Sequence, residues 1–436
     1  MSTNPNVGPN DIIVGLDIGT TKIACFVGQL NEHGKVVILG SGRSESLGVK
    51  RGVVSNIQQT VDSIRKAVDE AERNSGLQIQ RVNVGIAGQH IRSHQRNGMI
   101  TRRNGDSEIS RADIEELIRQ QQEYMNSPGE EIIHVMPQEY TVDGETGIKE
   151  PIGMNGIRLE AMFHVITGQV NAIRNIYRCI TKAGLEVDQL ILEPLASSAA
   201  VLSNDELEAG VALVDIGGGT TDIAIFQDHI IRHTAVIAMG GNIVTEDIRK
   251  GCAIMVRQAE KLKQHFGSAI ATEMKDNEIV CIPGLRQRPP REISRRNLAA
   301  IIEARMMEII ELVYYEIKNS GHAEELVGGI VLTGGGAMLK HVAQLFEYVT
   351  GISCRIGYPD EHLAELPEQS ITSPSFSTGV GLVLKGYEES LQEQSETPQT
   401  APEALHESEL LLEETIGTNF LNRIKRFFEA DDEFQD

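Results

Sequence analysis

The sequence predicts an α/β protein with two related halves, an inserted subdomain in the first half and a separate C-terminal tail. The main observation is an internal repeat. A strand, a glycine turn and a second strand at Gly15–Ile23 return at Leu213–Ile223, as expected when one chain holds two copies of a unit. Composition agrees, because aromatic residues make up 4% of the chain and Trp is missing. A core of Ile, Val, Leu and Ala favours sheets covered by helices.

Hydrophobic spacing places the elements of the first half. A helical pattern over Gln58–Asn74 meets a glycine stop signal at Gly76. Apolar runs predict strands at Ile12–Asp17, Thr21–Leu30, Val36–Gly40 and Val82–Ala87.

A stretch of mixed character, Gln89 to Glu160, follows these strands and is interpreted as an inserted subdomain. It contains a predicted helix over Arg111–Met125, with Ser110 as its N-cap. A positive patch lies near its start. Nucleic acid is a disfavoured partner for it, because the aromatic residues that stack on bases are missing. The patch is therefore interpreted as a contact for an acidic neighbouring subunit or as a solvated face. The patch comprises Arg92, Arg96, Arg102, Arg103, His90 and His94.

The second half repeats the opening pattern and adds helices. Its predicted hairpin covers Gly210–Phe226, and short strands are predicted at Leu190–Glu193 and Ile330–Leu332. The predicted helices are Val170–Ala183, Pro194–Leu202, Ile243–Phe266, Arg295–Asn319 and Thr378–Lys385.

The repeated glycine hairpins have the chemistry of a phosphate clamp. Glycine lets backbone N–H groups approach a phosphate, and threonine hydroxyls add neutral donors. Asp17 and Asp215, each at a strand end, suit the water shell of a Mg²⁺ that bridges phosphates. Two such hairpins facing each other would hold a nucleotide from both sides; the alternative is a pair of hairpins without a ligand.

Other classes are disfavoured by composition and motif. The net charge of -22 repels phosphate backbones, so nucleic acid is not an expected partner. Five cysteines without metal-type spacing predict reduced thiols in a cytosolic protein. The N-terminus lacks a signal-peptide pattern, and no apolar run reaches the roughly 18 residues of a membrane span. Neither a P-loop nor a dinucleotide-binding motif is found.

A third glycine turn, Gly334–Gly336, follows the strand at Ile330 and fits an adenosine-binding turn. The order of motifs resembles that of the actin/heat-shock ATPase/sugar kinase superfamily over residues 11 to 385. These motifs are a first phosphate segment (Asp17–Lys22), a connector (Glu193–Ser197), a second phosphate segment (Asp215–Asp222), the adenosine turn and a second connector (Thr378–Gly381).

Further segments resemble the FtsA family of bacterial cell-division proteins. These segments are the Arg-rich insertion, Glu160–Gly168, the helix around Ala259–Lys263 and the acidic linker with an amphipathic end. The resemblance implies a bilobed actin-like ATPase fold with a relocated subdomain, which binds ATP and Mg²⁺ and polymerises. It also implies tethering of the tubulin-like protein FtsZ to the cytoplasmic face of the cell membrane at the septum, and recruitment of downstream division proteins.

The resemblance also assigns site residues. Asp17 and Asp215 would organise Mg²⁺, Glu260 and Lys263 would face the nucleoside, and Met338 would flank the adenine with Gly334, Gly335 and Gly336. The phosphates would be wrapped by Gly19, Thr20, Thr21, Gly217, Gly218, Gly219, Thr220 and Thr221.

Two residues keep alternative interpretations. Glu193 matches the carboxylate that positions the attacking water in chaperone relatives, but it also suits an ordinary acidic first turn of a helix before Pro194. Lys22 either neutralises phosphate or points to solvent from its strand. Because members of the resembled family differ in how well they hydrolyse ATP, turnover is expected to be slow at most.

The C-terminal segment predicts a membrane anchor. Residues 386–415 contain nine Glu, two Pro and no Lys or Arg, which is typical of a disordered linker. The following segment has bulky apolar residues at helical spacing beside cations, which suits an anionic membrane surface; the alternative is docking on its own body or on a partner. The residues are Phe420, Leu421, Arg423, Ile424, Lys425, Arg426, Phe427 and Phe428.

A small-molecule kinase and a chaperone-type ATPase are the alternatives on the same fold. Neither needs an amphipathic tail, so the tail favours the membrane-tethered scaffold.

FtsZ is expected to bind near residues 240–300 through its acidic C-terminal peptide, where Arg286, Arg288, Arg291, Arg295 and Arg296 cluster. The predicted divisions are a first-lobe core (11–81, with 165–195 and 362–385), an inserted subdomain (82–164), a second lobe (196–361, with 240–300 as its outer subdomain), the linker (386–415) and the amphipathic helix with its tail (416–436).

Overall fold

The computed structural model describes residues 12–31, 33–102, 107–123, 128–275, 277–283, 289–364 and 371–396. Up to residue 394 the described residues form one compact unit, and the fold below is that of this unit. The amphipathic segment Phe420–Phe428, the linker beyond residue 396, and Arg103, Arg286 and Arg288 lie outside the described residues.

The first lobe is a five-stranded sheet with two helices packed on it. The strand order is β11-β6-β1-β2-β3, with β1 antiparallel to β2 and parallel to β6. Helix α1 (Ile57–Ser75) ends as predicted, since Gly76 takes a left-handed conformation at φ 71°. The other elements are β1 (Ile12–Ile18), β2 (Lys22–Leu30), β3 (Val36–Glu45), β4 (Val49–Lys50), β5 (Val53–Val54), β6 (Arg81–Ile86), α3 (Val170–Ala183) and β11 (Glu186–Leu192).

The inserted subdomain has its own four-stranded sheet, in the order β7-β10-β8-β9. Its elements are β7 (Ile91–Thr101), α2 (Arg111–Glu123), β8 (Glu130–Val142), β9 (Glu145–Ile148) and β10 (Arg158–Gln169). The predicted start at residue 82 is wrong. Strand β6 pairs in parallel with β1 and β11 and so belongs to the first lobe, because its apolar side chains complete that core.

The predicted positive patch of the inserted subdomain loses two of its members. The Arg102 guanidinium donates to the carbonyl oxygens of Ser107 and Gly156 at 2.9 and 2.8 Å, and its Nε lies 3.2 Å from Asp113. It therefore clasps the subdomain internally. His90 is 3% exposed, and burial lowers its pKa to about 4, so its ring is neutral near pH 7.

The second lobe repeats the topology of the first. Its sheet order is β14-β13-β12-β17-β18, with β12 antiparallel to β13 and parallel to β17. This confirms the internal repeat read from the two hairpins. The elements are α5 (Asn204–Ala209), β12 (Val211–Ile216), β13 (Thr221–Gln227), β14 (Ile230–Ile237), β17 (Ile330–Thr333), α9 (Val342–Thr350) and β18 (Cys354–Ile356).

The outer part of the second lobe is helical with one small hairpin. A single helix predicted over Ile243–Phe266 is in fact two, α6 (Gly241–Cys252) and α7 (Val256–Phe266). The break falls at Ala253, whose left-handed backbone (φ 49°) caps α6, a conformation that the apolar spacing does not signal. The remaining elements are β15 (Ile279–Ile282), β16 (Arg291–Ser294) and α8 (Arg295–Asn319).

Two connector helices, α4 (Glu193–Val201) and α10 (Ser377–Glu396), cross between the lobes. They touch through backbone, since a Cβ at Gly381 would lie 1.8 Å from the Ala196 carbonyl oxygen. Helix α10 continues through residues 386–396, where a disordered linker is predicted, so that part of the prediction is wrong. Among the described residues no helix combines the length and apolar character needed to cross a membrane.

Candidate nucleotide-binding cleft

The two glycine hairpins, one from each lobe, meet each other directly. A Cβ added at Gly218 would lie 1.8 Å from Thr21 Oγ1, and one at Gly219 would lie 2.7 Å from Thr20 Oγ1. Only glycine lets the second hairpin approach the first this closely. The predicted phosphate residues of both lobes are therefore brought together.

Four carboxyl groups lie close enough to interact by charge at the hairpins: those of Asp17, Glu193, Asp215 and Asp222. They come from the ends of β1 and β12, the start of α4 and the start of β13. Burial, followed by the charges of the three aspartates, raises the pKa of Glu193 well above its usual value. Burial likewise raises the pKa of Asp17, against the lowering effect of Lys22. Such crowding of like charges is typical of a site that takes a cation.

Asp215 is held by both connector helices. Its Oδ2 accepts hydrogen bonds from Ser197 Oγ at 3.0 Å and Thr378 Oγ1 at 3.4 Å. Burial is the main cause that raises the pKa of Asp215 to about 6, the Ser197 bond lowers it, and the charge of Asp17 adds to the rise. The two helices thus fix the carboxylate at the point where the lobes join.

Asp222 is a site residue to which sequence reasoning assigned no role. It is 5% exposed, and Thr220 Oγ1 donates to its Oδ2 at 2.9 Å. Its Oδ1 is buried without a hydrogen-bond partner among the described residues. Burial and then Asp215 raise the pKa of Asp222 to about 7. Asp222 directly follows the second Thr-Thr pair, at the place where the first repeat has Lys22. This position in the repeat is the sequence feature that could have identified Asp222.

The donor set fits a hydrated divalent cation. Hard oxygens that carry negative charge are the ligands such ions prefer, and the unpartnered Asp222 Oδ1 gives one a contact to satisfy. Within the described ranges, no three His, Cys, Asp or Glu side chains are arranged to ligate a metal directly.

Lys22 lies in the cleft rather than in solvent. Its Nζ is 3.5 Å from Asp17 Oδ2, donates to the Ser375 carbonyl oxygen, and stands 4.5 Å from the centre of the Phe376 ring. Of the two interpretations, the side-chain position favours the one that places its charge near the phosphates.

Glu260 and Lys263 brace the second hairpin from α7. Lys263 Nζ donates to the Gly241 carbonyl oxygen and to Thr245 Oγ1, both at 2.8 Å, and pairs with Glu260 at 2.8 Å. The backbone N–H of Gly241 in turn donates to the Gly217 carbonyl at 2.9 Å. These residues therefore hold the first turn of α6 against the hairpin.

The third glycine turn lies beside the same cleft. Gly334 N–H donates to the Pro374 carbonyl at 3.1 Å, and Gly335–Met338 form one tight turn. Met338, with 60% of its surface exposed, lines a cavity of about 610 Å³ together with Thr21, Lys22 and Phe376. Residues of both lobes thus border one space.

The predicted arginine cluster of the outer subdomain is partly engaged within the protein. Arg291 Nη1 donates to the carbonyl oxygens of Cys252 and Ala253 at 2.5 and 3.0 Å. Arg295 pairs with Glu278 at 2.5 Å. Arg295 follows the open end of the hairpin β15–β16, whereas Arg291 pairs with Ile282 at the loop end and remains exposed.

Comparison with known proteins places these features in a class. The fold is similar to that of the PilM-PilN type IV pilus biogenesis complex (TM-score 0.60, 17% identity, covering 87% of this chain and 99% of that one). It is also similar to MreB5 of Spiroplasma citri bound to ADP (TM-score 0.53, 16% identity, covering 89% and 100%). The protein therefore has the actin-like ATPase fold, as predicted.

Sequence relatives are more specific. Residues 212–381 match the family model "Cell division protein FtsA", and residues 88–167 match "SHS2 domain inserted in FTSA". The chain is 42% identical to Cell division protein FtsA of Pseudomonas aeruginosa over 391 residues, covering 90% of this chain and 92% of the relative. Identity to the Neisseria meningitidis protein is 38% over 415 residues, covering 95% and 97%. The chain belongs to the FtsA family of cell-division proteins, which confirms the resemblance read from the motifs.

Proposed function

We propose that this protein is an ATP-binding, actin-like scaffold that polymerises and links FtsZ to the cytoplasmic face of the cell membrane at the division septum. One observation carries the nucleotide part of the proposal: glycine hairpins from both lobes meet beside four carboxyl groups that interact by charge. A bound Mg²⁺ would offset these charges, and the nucleotide that it accompanies would bridge the lobes. The FtsA family membership supports the division role.

Each element of the cleft has a task in this proposal. The N–H groups of the hairpins would bind the phosphates, and Lys22 would offset their charge. Asp17, Asp215 and Asp222 would hold Mg²⁺, partly through water. Glu193, close enough to Asp17, Asp215 and Asp222 to feel their charges, would orient water for slow hydrolysis. Bound Mg²⁺ would supply charge compensation at the phosphates.

The variant Asp222→Asn tests the nucleotide site, because it should change the stability of the free protein and the stabilisation by ligand in opposite directions. Removing one of four crowded carboxylates should raise the free energy of unfolding without ligand by about 1 kcal/mol. The same change should reduce the stabilisation by Mg²⁺-ATP, which for a ligand at 100 times its Kd is about 2.7 kcal/mol. Thermal unfolding with and without Mg²⁺-ATP measures both. Equal stabilisation of variant and wild type would contradict a cation role for Asp222.

Membrane attachment is proposed for the segment from Phe420 to Phe428. Bulky apolar residues next to Arg423, Lys425 and Arg426 suit an anionic surface, while the acids that follow weaken the attachment and favour reversibility. Co-sedimentation with anionic liposomes should pellet the full chain, but not a chain lacking residues 417–436. Equal pelleting of both would remove the anchor from the proposal.

FtsZ binding is proposed for the outer subdomain of the second lobe. The exposed Arg291 at the loop end of β15–β16 offers a cation to the acidic C-terminal peptide of FtsZ. The change Arg291→Glu should weaken peptide binding at least 10-fold in fluorescence anisotropy. Arg119→Glu, on the exposed face of α2, is the matched control. The proposal does not survive if the Arg291 variant keeps full affinity.

A further inference from the structure

Strand β8 of the inserted subdomain contacts both lobes. The Nε2 atom of His134 accepts a hydrogen bond from the backbone N–H of Leu192, 3.1 Å away, in the first lobe. The Gln138 amide donates to the carbonyl oxygens of Ile231 and Arg232 in the second lobe, at 2.6 and 3.3 Å. Four residues of a strand separate the two contacts by about 13 Å.

The contact to the second lobe is built from two facing bulges. Gln138 is the extra residue of β8 at its register shift against β10, and Arg232 is the extra residue of β14 at its shift against β13. A bulge turns a side chain or carbonyl out of the ladder, which is how the two groups meet. Gln138 is only 4% exposed, so the loss of its partner would leave buried polar groups unpaired.

The two strands that β8 contacts in the lobes are edge strands. Strands β11 and β14 each end the order of a five-stranded sheet, so each has one edge without a neighbouring strand in that sheet. The same subdomain adds further contacts to the second lobe. Ser93 Oγ donates to the Thr234 carbonyl at 3.0 Å, and Lys149 pairs with Asp228 at 2.8 Å.

The contact to the first lobe reaches the start of a connector helix. Leu192 is the N-cap of α4 and makes no side-chain capping bond, and the next residue is Glu193 in the cleft. Burial, with a smaller effect of the charge on Lys385, lowers the pKa of His134 to about 4. The imidazole is therefore neutral near pH 7 and free to accept at Nε2.

We propose that β8 is a brace that couples docking of the inserted subdomain on the second lobe to the nucleotide cleft, with His134 as the residue that positions Glu193. This inference rests on the nucleotide site proposed above. A partner or a second copy of the chain that lifts the subdomain from β14 would weaken nucleotide binding. Bound nucleotide would strengthen the docking by the same factor, because coupling between sites is reciprocal.

The test follows hydrogen exchange of the peptide 186–201 in the full chain. Both His134→Leu, which removes the acceptor, and Gln138→Leu, which removes the second-lobe contact, should speed exchange there at least fivefold. Both should also weaken binding of a fluorescent ATP analogue with Mg²⁺ by 3- to 10-fold. His134→Gln keeps an acceptor at a similar reach and should stay within twofold of wild type. Arg119→Ala, on the exposed face of α2, should change neither measurement.

The decisive variant is Gln138→Leu, because its contact lies away from the connector. If it speeds exchange in β8 and β14 alone and leaves 186–201 unchanged, the brace is refuted. A wild-type chain that fails to bind the ATP analogue would instead overturn the proposed nucleotide site, while the exchange data would still decide the coupling. If His134→Leu does not fold, Gln138→Leu and His134→Gln give the same decision.

Discussion

At the scale of single residues, Gly218 shows how closely the two lobes approach. Its missing side chain leaves room for Thr21 Oγ1, which would lie 1.8 Å from an added Cβ. The contact joins the repeated hairpins directly, so the position constrains both stability and the geometry of the clamp.

The change Gly218→Ala is expected to lower the free energy of unfolding by about 1–3 kcal/mol, since an overpacked contact must shift backbone or rotamers. Thr21→Ala removes the clashing oxygen, so the double variant should recover part of this loss. Urea denaturation of the four proteins in a double-mutant cycle measures the coupling. Additive losses would contradict the contact between hairpins.

His90 is a second residue with a measurable signature. Neither ring nitrogen has a hydrogen-bond partner among the described residues, and burial lowers its pKa to about 4. Between about pH 6.5 and pH 4 the unfolded chain binds a proton here that the folded chain does not. Stability contributed by the neutral ring is therefore present above pH 6.5 and is lost as the pH falls towards 4.

Replacing this ring with a leucine, His90→Leu, should remove that proton linkage and flatten the loss of stability between pH 6.5 and 4. The expected difference is of the order of 2–3 kcal/mol at pH 4 relative to wild type. Thermal or urea unfolding at several pH values measures it. A slope that stays as in wild type in the His90→Leu variant would speak against the buried neutral ring.

At the scale of elements, the break between α6 and α7 is a place where the structure differs from the hydrophobic pattern. The apolar spacing continues across the break, yet Ala253 takes a left-handed conformation that ends α6. The turn lets α7 direct Lys263 at the start of α6, which an unbroken helix could not do. The contact of Lys263 with α6 thus depends on a left-handed backbone conformation that is strained for an alanine.

Glycine adopts the left-handed conformation without the Cβ penalty, so Ala253→Gly should raise the free energy of unfolding by about 0.5–1 kcal/mol. The same substitution at Ala300, exposed within α8, should lower it by about 1 kcal/mol. Chemical denaturation of both variants gives the comparison. Two losses of equal size would mean that Ala253 lies in an ordinary helix.

At the scale of the whole molecule, the two lobes meet through the hairpins and through the crossing of α4 and α10. A ligand held by both hairpins must therefore protect both lobes together. Hydrogen exchange with Mg²⁺-ATP should slow in peptides covering β1–β2, β12–β13 and the Gly334 turn. The hairpin β15–β16 should not change and serves as the internal control. Protection confined to the second lobe would contradict a clamp formed from both sides.

The sequence signalled most of the cleft because its chemistry is local. Glycines, threonines and acids stand at fixed offsets within each hairpin, so Asp17, Asp215 and both Thr pairs could be assigned from spacing. Asp222 was missed because its place in the carboxyl cluster depends on burial and on a neighbour in space, Asp215. The position of the Lys22 side chain likewise depends on its contacts with Ser375 and Phe376, more than 350 residues away.

By itself, the sequence determined the two-halved α/β fold, the positions of most strands and helices, and the residues of the two glycine hairpins. Each of these follows from short-range periodicity or from a motif read along the chain. Only the tertiary structure decided that β6 belongs to the first lobe, that Arg102 clasps the inserted subdomain, and that β8 reaches both lobes. These outcomes depend on which buried surfaces and unpaired polar groups meet in three dimensions, and that information is not carried by any one segment.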